Sequence, residues 1–275
     1  MKTTTTTHKA PGRFARHLGA LGFGLVMAIA LLAPGAALAA PRNTTCSTVA
    51  CVIAFGDHAI QLRLNSLATL STKITNQQNL NHITNAQAGV LQSDVSTNQS
   101  GLNALKTKLD AETVIANARQ DVRDIYTQFR IYIVVLPRDF NEVWLNILQN
   151  VQAKILAAEP KVQSAINSAA GLSDKDNDGD VAEMNAKFTD LQNQVTNAGN
   201  QLSAAASLEG SLTAANFDAS PTAYKTNWDS FRDDIRVAHQ DDQAAANDLH
   251  TITRIMQELI AEQNEAANSP ATGEP

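Results

Sequence analysis

The sequence predicts an all-α protein, an elongated antiparallel helical bundle or coiled coil of three to four long helices. Apolar residues recur at alternating steps of three and four through most of residues 58–267, which is the pattern of helices that pack along a seam. Aromatic residues make up only 5% of the chain, a composition that suits narrow seams better than a thick core. The segments that link the predicted helices are short, which favours antiparallel packing of consecutive helices.

The first patterned stretch predicts one helix of roughly 50 residues. Its regular part contains Leu91, Val95, Leu102, Leu105 and Leu109, with Asn98 in the one polar slot. The pattern continues less regularly upstream as far as Ile60. A polar residue at such a seam position can set the register between helices, or it can lie exposed where the helices splay apart.

The second stretch keeps the three-and-four alternation from Ile115 to Leu136, and Pro137 follows. Proline removes a backbone donor and crowds the preceding turn, so we expect a kink or a break there. The pattern resumes from Phe140 and reaches Ala169, and Gly171 supplies an end signal.

Two further helices are predicted after residue 179. In the first, apolar residues run from Val181 to Ala205, and Asp180 with Glu183 resembles a capping box. The last helix opens with Ser220 as a cap and Pro221 at the first helical position. Its alternation then continues without a break from Tyr224 to Leu259, with Asp242 as a polar member.

Residues 1–39 have the features of a signal peptide, which predicts an exported protein that is secreted or held in the cell envelope. Four cationic residues precede an apolar stretch over residues 18–32, and Ala37-Leu38-Ala39 provides small residues for cleavage. We expect no transmembrane segment in the mature chain, because no other stretch approaches the length that a spanning helix requires. Residues 268–275 are polar and are predicted to form a disordered tail.

The formal net charge is −6, and removal of the four cations in the signal peptide lowers it to −10. Binding to a phosphate backbone needs clustered Lys and Arg. The charge therefore argues against nucleic acid as a partner.

Both cysteines, Cys46 and Cys51, lie in the N-terminal segment 40–57. In an oxidising compartment, two cysteines this close together favour a local disulfide. The alternative is a pair of free thiols or of thiols bonded to another molecule.

An acidic loop precedes the fourth helix and matches the first half of a calcium loop, with Gly179 where a sharp turn is needed. Its carboxylates alternate along the chain, and they belong to Asp174, Asp176, Asp178 and Asp180. Position twelve of a calcium loop is normally a Glu that binds the ion through both carboxylate oxygens, but here it is Asn185. We therefore expect calcium to bind weakly, with Kd of ~0.1–1 mM. The alternative is a bare acidic turn between two helices. No other cofactor is predicted.

Residues 131–136 form an uninterrupted apolar run, Ile-Tyr-Ile-Val-Val-Leu. Such a run could be the short segment that a helical pore-forming protein inserts into the membrane, although six residues cannot span a bilayer. The alternative is a helix turn buried on all sides beside the Pro137 bend, which the preceding heptads favour.

Catalytic motifs are absent from the sequence. None of the mature histidines belongs to a His-Glu-x-x-His helix, and there is no Gly-x-Ser-x-Gly elbow or phosphate-binding glycine loop. We therefore expect a protein that is not an enzyme.

The segment 121–138 resembles a motif of uncharacterised exported bacterial helical coiled-coil proteins. In that motif an aromatic-Arg-x-Tyr run leads to Pro and a basic residue, which correspond here to Phe129, Arg130, Tyr132, Pro137 and Arg138. The similarity extends over roughly residues 105–262 and implies a secreted helical coiled-coil protein. On physical grounds we expect Arg130 to pair with an acidic residue of a neighbouring helix and Pro137 to set the bend.

The sequence thus predicts a coiled-coil spacer or interaction surface that self-associates or binds a protein partner through helix faces. The alternatives are a membrane-active, pore-forming-like protein and a calcium-braced helical module.

Overall fold

The structure, a computed structural model, describes residues 46–171 and 179–268. All regular elements in these two ranges are helical, which confirms the all-α prediction. They are α1 (Val49–Asn79), α2 (Asn85–Asp110), α3 (Ile115–Thr127), a π-helix (Ile131–Val135), α4 (Leu136–Ala169), α5 (Asp180–Glu209), α6 (Ala214–Ala219) and α7 (Pro221–Asn268). The predicted signal peptide, residues 269–275 of the predicted tail, and Asp174, Asp176 and Asp178 lie outside the described residues.

The chain divides into two compact units. The described residues of the larger unit are 46–156 and 196–242, and those of the smaller unit are 157–171, 179–195 and 243–268. Helices α4, α5 and α7 each contribute residues to both.

In the larger unit, α1, α2 and α3 pack against one another. The apolar residues that these helices bury are aliphatic and include Ile60, Leu67, Leu70, Ile74, Leu91, Val95, Leu102, Leu105, Leu109, Ala118 and Ile125. Gly56 lets α1 approach the other two helices closely, because a Cβ atom there would lie 2.4 Å from Leu109 Cδ2 and 2.9 Å from Val122 Cγ2.

The expected single helix of about 50 residues is wrong, because a turn at residues 80–84 separates α1 from α2. Asn81 has a positive φ of 55°, a conformation that asparagine tolerates better than most residues. Thr84 then starts α2 with a capping box, in which its side chain accepts from the Gln87 backbone N–H at 3.2 Å and its own N–H donates to Gln87 Oε1 at 2.8 Å. Ile83 is buried, so the turn is anchored in the core.

Helix α1 also begins earlier than expected, at Val49, inside the predicted N-terminal segment 40–57. Thr48 caps it by accepting from the Cys51 backbone N–H at 3.2 Å. A hydroxyl that accepts from a first-turn N–H satisfies a donor that has no partner within the helix.

The stretch 115–136 is not one continuous helix. Helix α3 ends at Thr127, Arg130 has a φ of 46°, and the π-helix follows. The expected break is therefore present but lies before the apolar run, while Pro137 is the second residue of α4. The π-helix runs directly into α4, and the Leu136 backbone N–H donates to the Ile131 carbonyl across this junction.

The apolar run is not buried on all sides. Ile131, Val134 and Val135 are buried, whereas Ile133 is 50% exposed. The wider turn of a π-helix places successive side chains differently from an α-helix, and here it leaves one side of the run facing solvent.

A second core in the larger unit joins parts of α4, α5 and α7. Its buried members are Val134, Leu145, Leu148, Ala198, Leu202, Ala205, Leu212, Tyr224, Phe231, Ile235 and Ala238. Trp144, Phe217 and Trp228 are partly buried against it, and the Phe217 and Tyr224 rings meet edge to face at 5.2 Å.

In the smaller unit, segments of the same three helices supply the buried residues. Lys187 of α5 forms an ion pair of 3.1 Å with Asp248 of α7. Gln192 of α5 donates to Glu159 of α4 at 3.5 Å.

The predicted seam of α7 is confirmed by burial. The eleven seam positions are Tyr224, Trp228, Phe231, Ile235, Ala238, Asp242, Ala245, Leu249, Ile252, Met256 and Leu259. Ten of these residues are buried, and Trp228 is partly buried. Ser220 caps this helix as expected, because its side chain accepts from the Ala223 backbone N–H at 3.3 Å.

Two glycines on neighbouring helices allow a matched test of helix packing in the larger unit. Gly56→Val should destabilise the protein by about 1–3 kcal/mol, because the added methyl groups overlap Leu109 and Val122. Gly89→Val introduces the same side chain on α2 where nothing lies within 4 Å of the Cβ position, so it should change stability by less than about 0.5 kcal/mol. Urea unfolding followed by circular dichroism measures both, and equal effects would contradict the close approach of α1 to α2 and α3.

Candidate functional site

Residues 128–138, which we call the connector, run from the end of α3 through the π-helix into the first turn of α4. They have the most irregular backbone among the residues that the structure describes. The connector contains the non-glycine residue Arg130 at positive φ and the five-residue π-helix. Positive φ in a bulky residue costs energy, and both features tend to mark functional or structurally demanding positions. The five motif residues Phe129, Arg130, Tyr132, Pro137 and Arg138 all lie in this connector.

Phe129 and Arg130 contact different helices. The Phe129 ring fills the space beside Gly101 of α2, where a Cβ atom would lie 2.5 Å from the ring. Arg130 donates from Nε to Asp218 Oδ1 of α6 at 3.0 Å, and its guanidinium lies 4.9 Å from the Phe217 ring centroid. Arg130 thus pairs with an acidic residue of a neighbouring helix, as expected.

Tyr132 contacts α1 through Arg63. The Arg63 guanidinium lies 5.0 Å from the Tyr132 ring centroid and 4.3 Å from that of Tyr126. It also donates from Nη1 to the Ala59 carbonyl at 2.8 Å. Burial lowers the pKa of Arg63 from its ordinary value, an effect that the electrostatic contribution of both tyrosines opposes. Cation–π contacts in a desolvated position contribute about 2 kcal/mol, so this stack joins α1, α3 and the connector.

Arg138 is surrounded by carboxyl groups. Its Nε and Nη2 donate to Asp139 Oδ1 at 2.9 and 2.7 Å, and Nη2 also pairs with Asp94 of α2. Glu142 Oε1 lies 3.7 Å from Nε. Glu209, at the end of α5, is near enough to Glu142 to raise the pKa of its carboxyl. We call Arg138, Asp94, Asp139 and Glu142 the Arg138 cluster.

Burial alters the proton affinities in the Arg138 cluster. Asp139 is 0% exposed, and burial raises its pKa to about 7 despite the opposing charge of Arg138. Burial also raises the pKa of Glu142 well above its usual range, and the nearby Glu209 adds to that rise.

Tyr224 of α7 lies next to the cluster. Burial raises the pKa of Tyr224 to about 12, and the positive charge of Arg138 opposes that rise. The guanidinium of Arg138 therefore acts on groups of α2, α4 and α7. Because the pKa of Asp139 is raised to about 7, this carboxyl group can take up and release a proton near neutral pH.

The remaining predicted site residues lie elsewhere. Cys46 and Cys51 form a disulfide with an S–S distance of 2.06 Å, and Arg119 of α3 donates to the Cys46 carbonyl at 2.9 Å. Asp180 is buried at the start of α5, next to Gly179 with φ of +89°. In residues 46–171 and 179–268, no three His, Cys, Asp or Glu side chains are placed to hold a metal ion. Calcium binding at the acidic loop stays a prediction.

The sequence analysis missed Asp139, Glu142, Glu209 and Arg63. Arg138, Asp139 and Glu142 follow the apolar run directly and include an i, i+4 pair of opposite charge, which could have indicated an ion pair. Their burial could not be predicted, because it depends on helices that are distant in the sequence. The tyrosine sandwich around Arg63 likewise joins residues more than 60 positions apart.

Comparison with known proteins finds no matching family model, no matching curated protein and no matching solved structure. Within the two described ranges, none of the helices has both the length and the apolar character needed to cross a bilayer.

The buried position of Arg138 predicts a large effect on stability when its charge is removed. Arg138→Leu should cost about 3 kcal/mol at pH 7, the lower end for a broken buried pair, because Asp139 can offset part of the loss by taking up a proton. The cost should be smaller at pH 5, where that proton is already bound.

Arg254→Leu is the matched control, since Arg254 forms an exposed i, i+4 pair with Glu258 at 2.7 Å. Its loss should cost less than about 1 kcal/mol at either pH. Chemical denaturation at the two pH values measures both variants. An Arg138→Leu variant as stable as the control would show that the cluster contributes little.

Proposed function

We propose that this chain is a non-enzymatic, exported helical coiled-coil protein that acts as a spacer or as an interaction surface. In this proposal the long helices form an antiparallel bundle or coiled coil of three to four helices. The protein self-associates or binds a protein partner through its helix faces, and it is secreted or held in the cell envelope.

One observation carries this proposal, namely the seam of α7. Buried members recur at steps of three and four from Tyr224 to Leu259, within a 48-residue helix. Coiled-coil proteins pack helices along such seams and leave the remaining helix faces available for other contacts. The resemblance of the connector motif to exported bacterial coiled-coil proteins supports the same proposal, as does the apolar stretch between cationic and small residues in positions 1–39.

The export part of the proposal is tested by fractionation of the native host and sequencing of the mature N-terminus. We expect the protein outside the cytoplasm, beginning at or near Ala40. A cytoplasmic protein that retains Met1 would contradict export without affecting the coiled-coil part.

The interaction part is tested by sedimentation of the mature protein and by affinity capture from the envelope fraction. We expect either a defined oligomer whose mass depends on concentration or one partner retained at a constant ratio. A monomer at 100 µM that retains nothing would remove the interaction role.

The membrane-active alternative makes a different prediction. Ile133 is the exposed apolar residue of the π-helix. If residues 131–136 inserted into a membrane, Ile133 would therefore be the side chain that first contacts the lipid. We expect the mature protein at micromolar concentration to release no dye from lipid vesicles. If dye is released, and Ile133→Asp abolishes the release while Thr107→Asp on the exposed face of α2 does not, the membrane-active function replaces the spacer.

A calcium-braced loop is a second proposal for residues 174–180. Its support is the alternating carboxylates of the sequence and the positive φ of Gly179, which suits the sharp turn of a calcium loop. With Kd of about 1 mM, 10 mM calcium would stabilise the folded protein by about 1.4 kcal/mol. Thermal melting should therefore show a rise that Asp176→Asn reduces and that equal magnesium does not reproduce. An unchanged melting temperature would remove the calcium site.

A further inference from the structure

We propose that the disulfide between Cys46 and Cys51 is an exchangeable redox site, which a dithiol reductant opens by attack on Cys46 while Cys51 leaves as a thiolate. The bond joins the residues on either side of the α1 N-cap, in the larger unit. The inference goes beyond the function proposed above and holds whether the protein is a spacer, an interaction surface or a membrane-active protein.

The disulfide lies where another molecule can reach it. Cys51 is exposed and Cys46 is partly exposed, and three of the four residues between them are exposed as well. The first buried residue of α1 is Val52, which follows the cysteine pair. A thiolate from another molecule can therefore approach the bond without local unfolding of the protein.

The fold of the larger unit has little need of this cross-link. It joins residues only five positions apart, and so short a loop removes little entropy from the unfolded chain. The first turn of α1 is also fixed without it, because the Cys51 and Val52 backbone N–H groups each donate to Thr48 at 3.2 Å, to its side chain and its carbonyl respectively. The bond can therefore open while α1 stays folded.

The position of Cys51 favours its departure as a thiolate. Cys51 is the third residue of α1, where the unpaired N–H groups of the first turn and the helix dipole stabilise negative charge. That turn contains no acidic residue to oppose the effect. A thiol whose thiolate is stabilised leaves a disulfide faster than an ordinary thiol does. Attack on Cys46 is therefore favoured, because it is the attack that releases Cys51.

A cationic side chain from a different helix lies beside the same bond. Arg119 of α3 donates from Nη2 to the Cys46 carbonyl at 2.9 Å, so its guanidinium is held next to the cysteine pair. Within residues 46–171 and 179–268, Arg119 forms no salt bridge with a carboxylate. Its positive charge therefore remains available to stabilise a thiolate, independently of the helix position of Cys51.

The exchange balances with the dithiol as the one co-reactant. Its first thiolate bonds to Cys46 Sγ, the bond between Cys46 and Cys51 breaks, and Cys51 keeps the electron pair as a thiolate. The second thiolate of the reductant then attacks the reductant's own sulfur in this mixed disulfide and releases Cys46 as a thiolate. The reductant is oxidised to a disulfide, and two electrons pass to this protein together with the protons that its two thiols bind.

Opening the bond changes how Cys46 is held beside α3. In the oxidised protein Cys46 is fixed both by its covalent link to Cys51 and by the hydrogen bond from Arg119. After reduction only the hydrogen bond remains, and a single exposed hydrogen bond contributes little. The redox state thus controls whether the chain before Thr48 stays attached to α1 and α3.

Dithiothreitol, a small dithiol, tests whether the bond opens in the folded protein. The mature protein is treated at pH 7, its free thiols are alkylated and counted by mass spectrometry, and circular dichroism follows the helices. We expect two alkylated cysteines with an unchanged helical signal. A bond that stays closed until the helices unfold is a structural cross-link and would overturn the proposal.

Alkylation by iodoacetamide tests the thiolate of each cysteine separately. Cys46→Ser leaves Cys51 free, and Cys51→Ser leaves Cys46 free. The rate at pH 6.5 divided by the rate at pH 10 reports the thiolate fraction and cancels the difference in exposure, because both thiols are largely ionised at pH 10. This ratio should be at least about fivefold higher for Cys51 than for Cys46. Equal ratios would refute the assignment of Cys51 as the leaving thiolate.

Arg119→Gln and Arg123→Gln are a matched pair, since the two arginines lie one helical turn apart on α3 and Arg123 donates to Gln120 at 3.2 Å. Each is combined with Cys46→Ser. Arg119→Gln should lower the alkylation ratio of Cys51 by about two- to threefold, whereas Arg123→Gln should leave it unchanged. If both variants give the same ratio, the role assigned to Arg119 is wrong.

Discussion

Arg138 carries a guanidinium that is 15% exposed into contact with Asp94 of α2 and with the fully buried Asp139. A charge in this position is costly unless the surrounding groups compensate it. Here compensation comes from Asp94 of α2 and from Asp139 and Glu142 of α4 itself. The position of α4 in the larger unit therefore depends on its contact with α2, because loss of Asp94 would leave the Arg138 charge less compensated.

The rest of the connector extends the same arrangement to other helices. Phe129 packs beside Gly101 of α2, Arg130 pairs with Asp218 of α6, and Tyr132 stacks on Arg63 of α1. An uninterrupted α-helix would present these side chains at fixed angles of about 100° per residue. The positive φ of Arg130 and the π-helix change the directions in which these side chains point. The strained backbone is therefore what allows the three sets of contacts to form together.

The seams and the polar contacts contribute differently to the fold. The largely apolar seams on α2, α5 and α7 bury surface, and the hydrophobic effect that drives this burial is non-directional and would tolerate more than one arrangement of helices. The cation–π sandwich of Arg63 and the Arg138 cluster require specific neighbours, so they select one arrangement. Buried polar groups of this kind give less net stability than apolar groups of the same volume but can specify register.

The sequence by itself determined the all-helical class, the seam of α7 and its Ser220 cap, because these depend on residues within a few turns of one another. It also indicated a break near Pro137, although the chain breaks earlier, at Arg130. Only the tertiary structure decided that a turn at Asn81 divides the first helix. It likewise decided that Asp139 and Glu142 are buried while Phe140 and Trp144 are only partly buried. The physical reason is that Arg138 contacts Asp94, which is more than 40 residues away in the sequence, and Tyr132 stacks against Arg63, which is more than 60 residues away. Over such separations local periodicity carries no information.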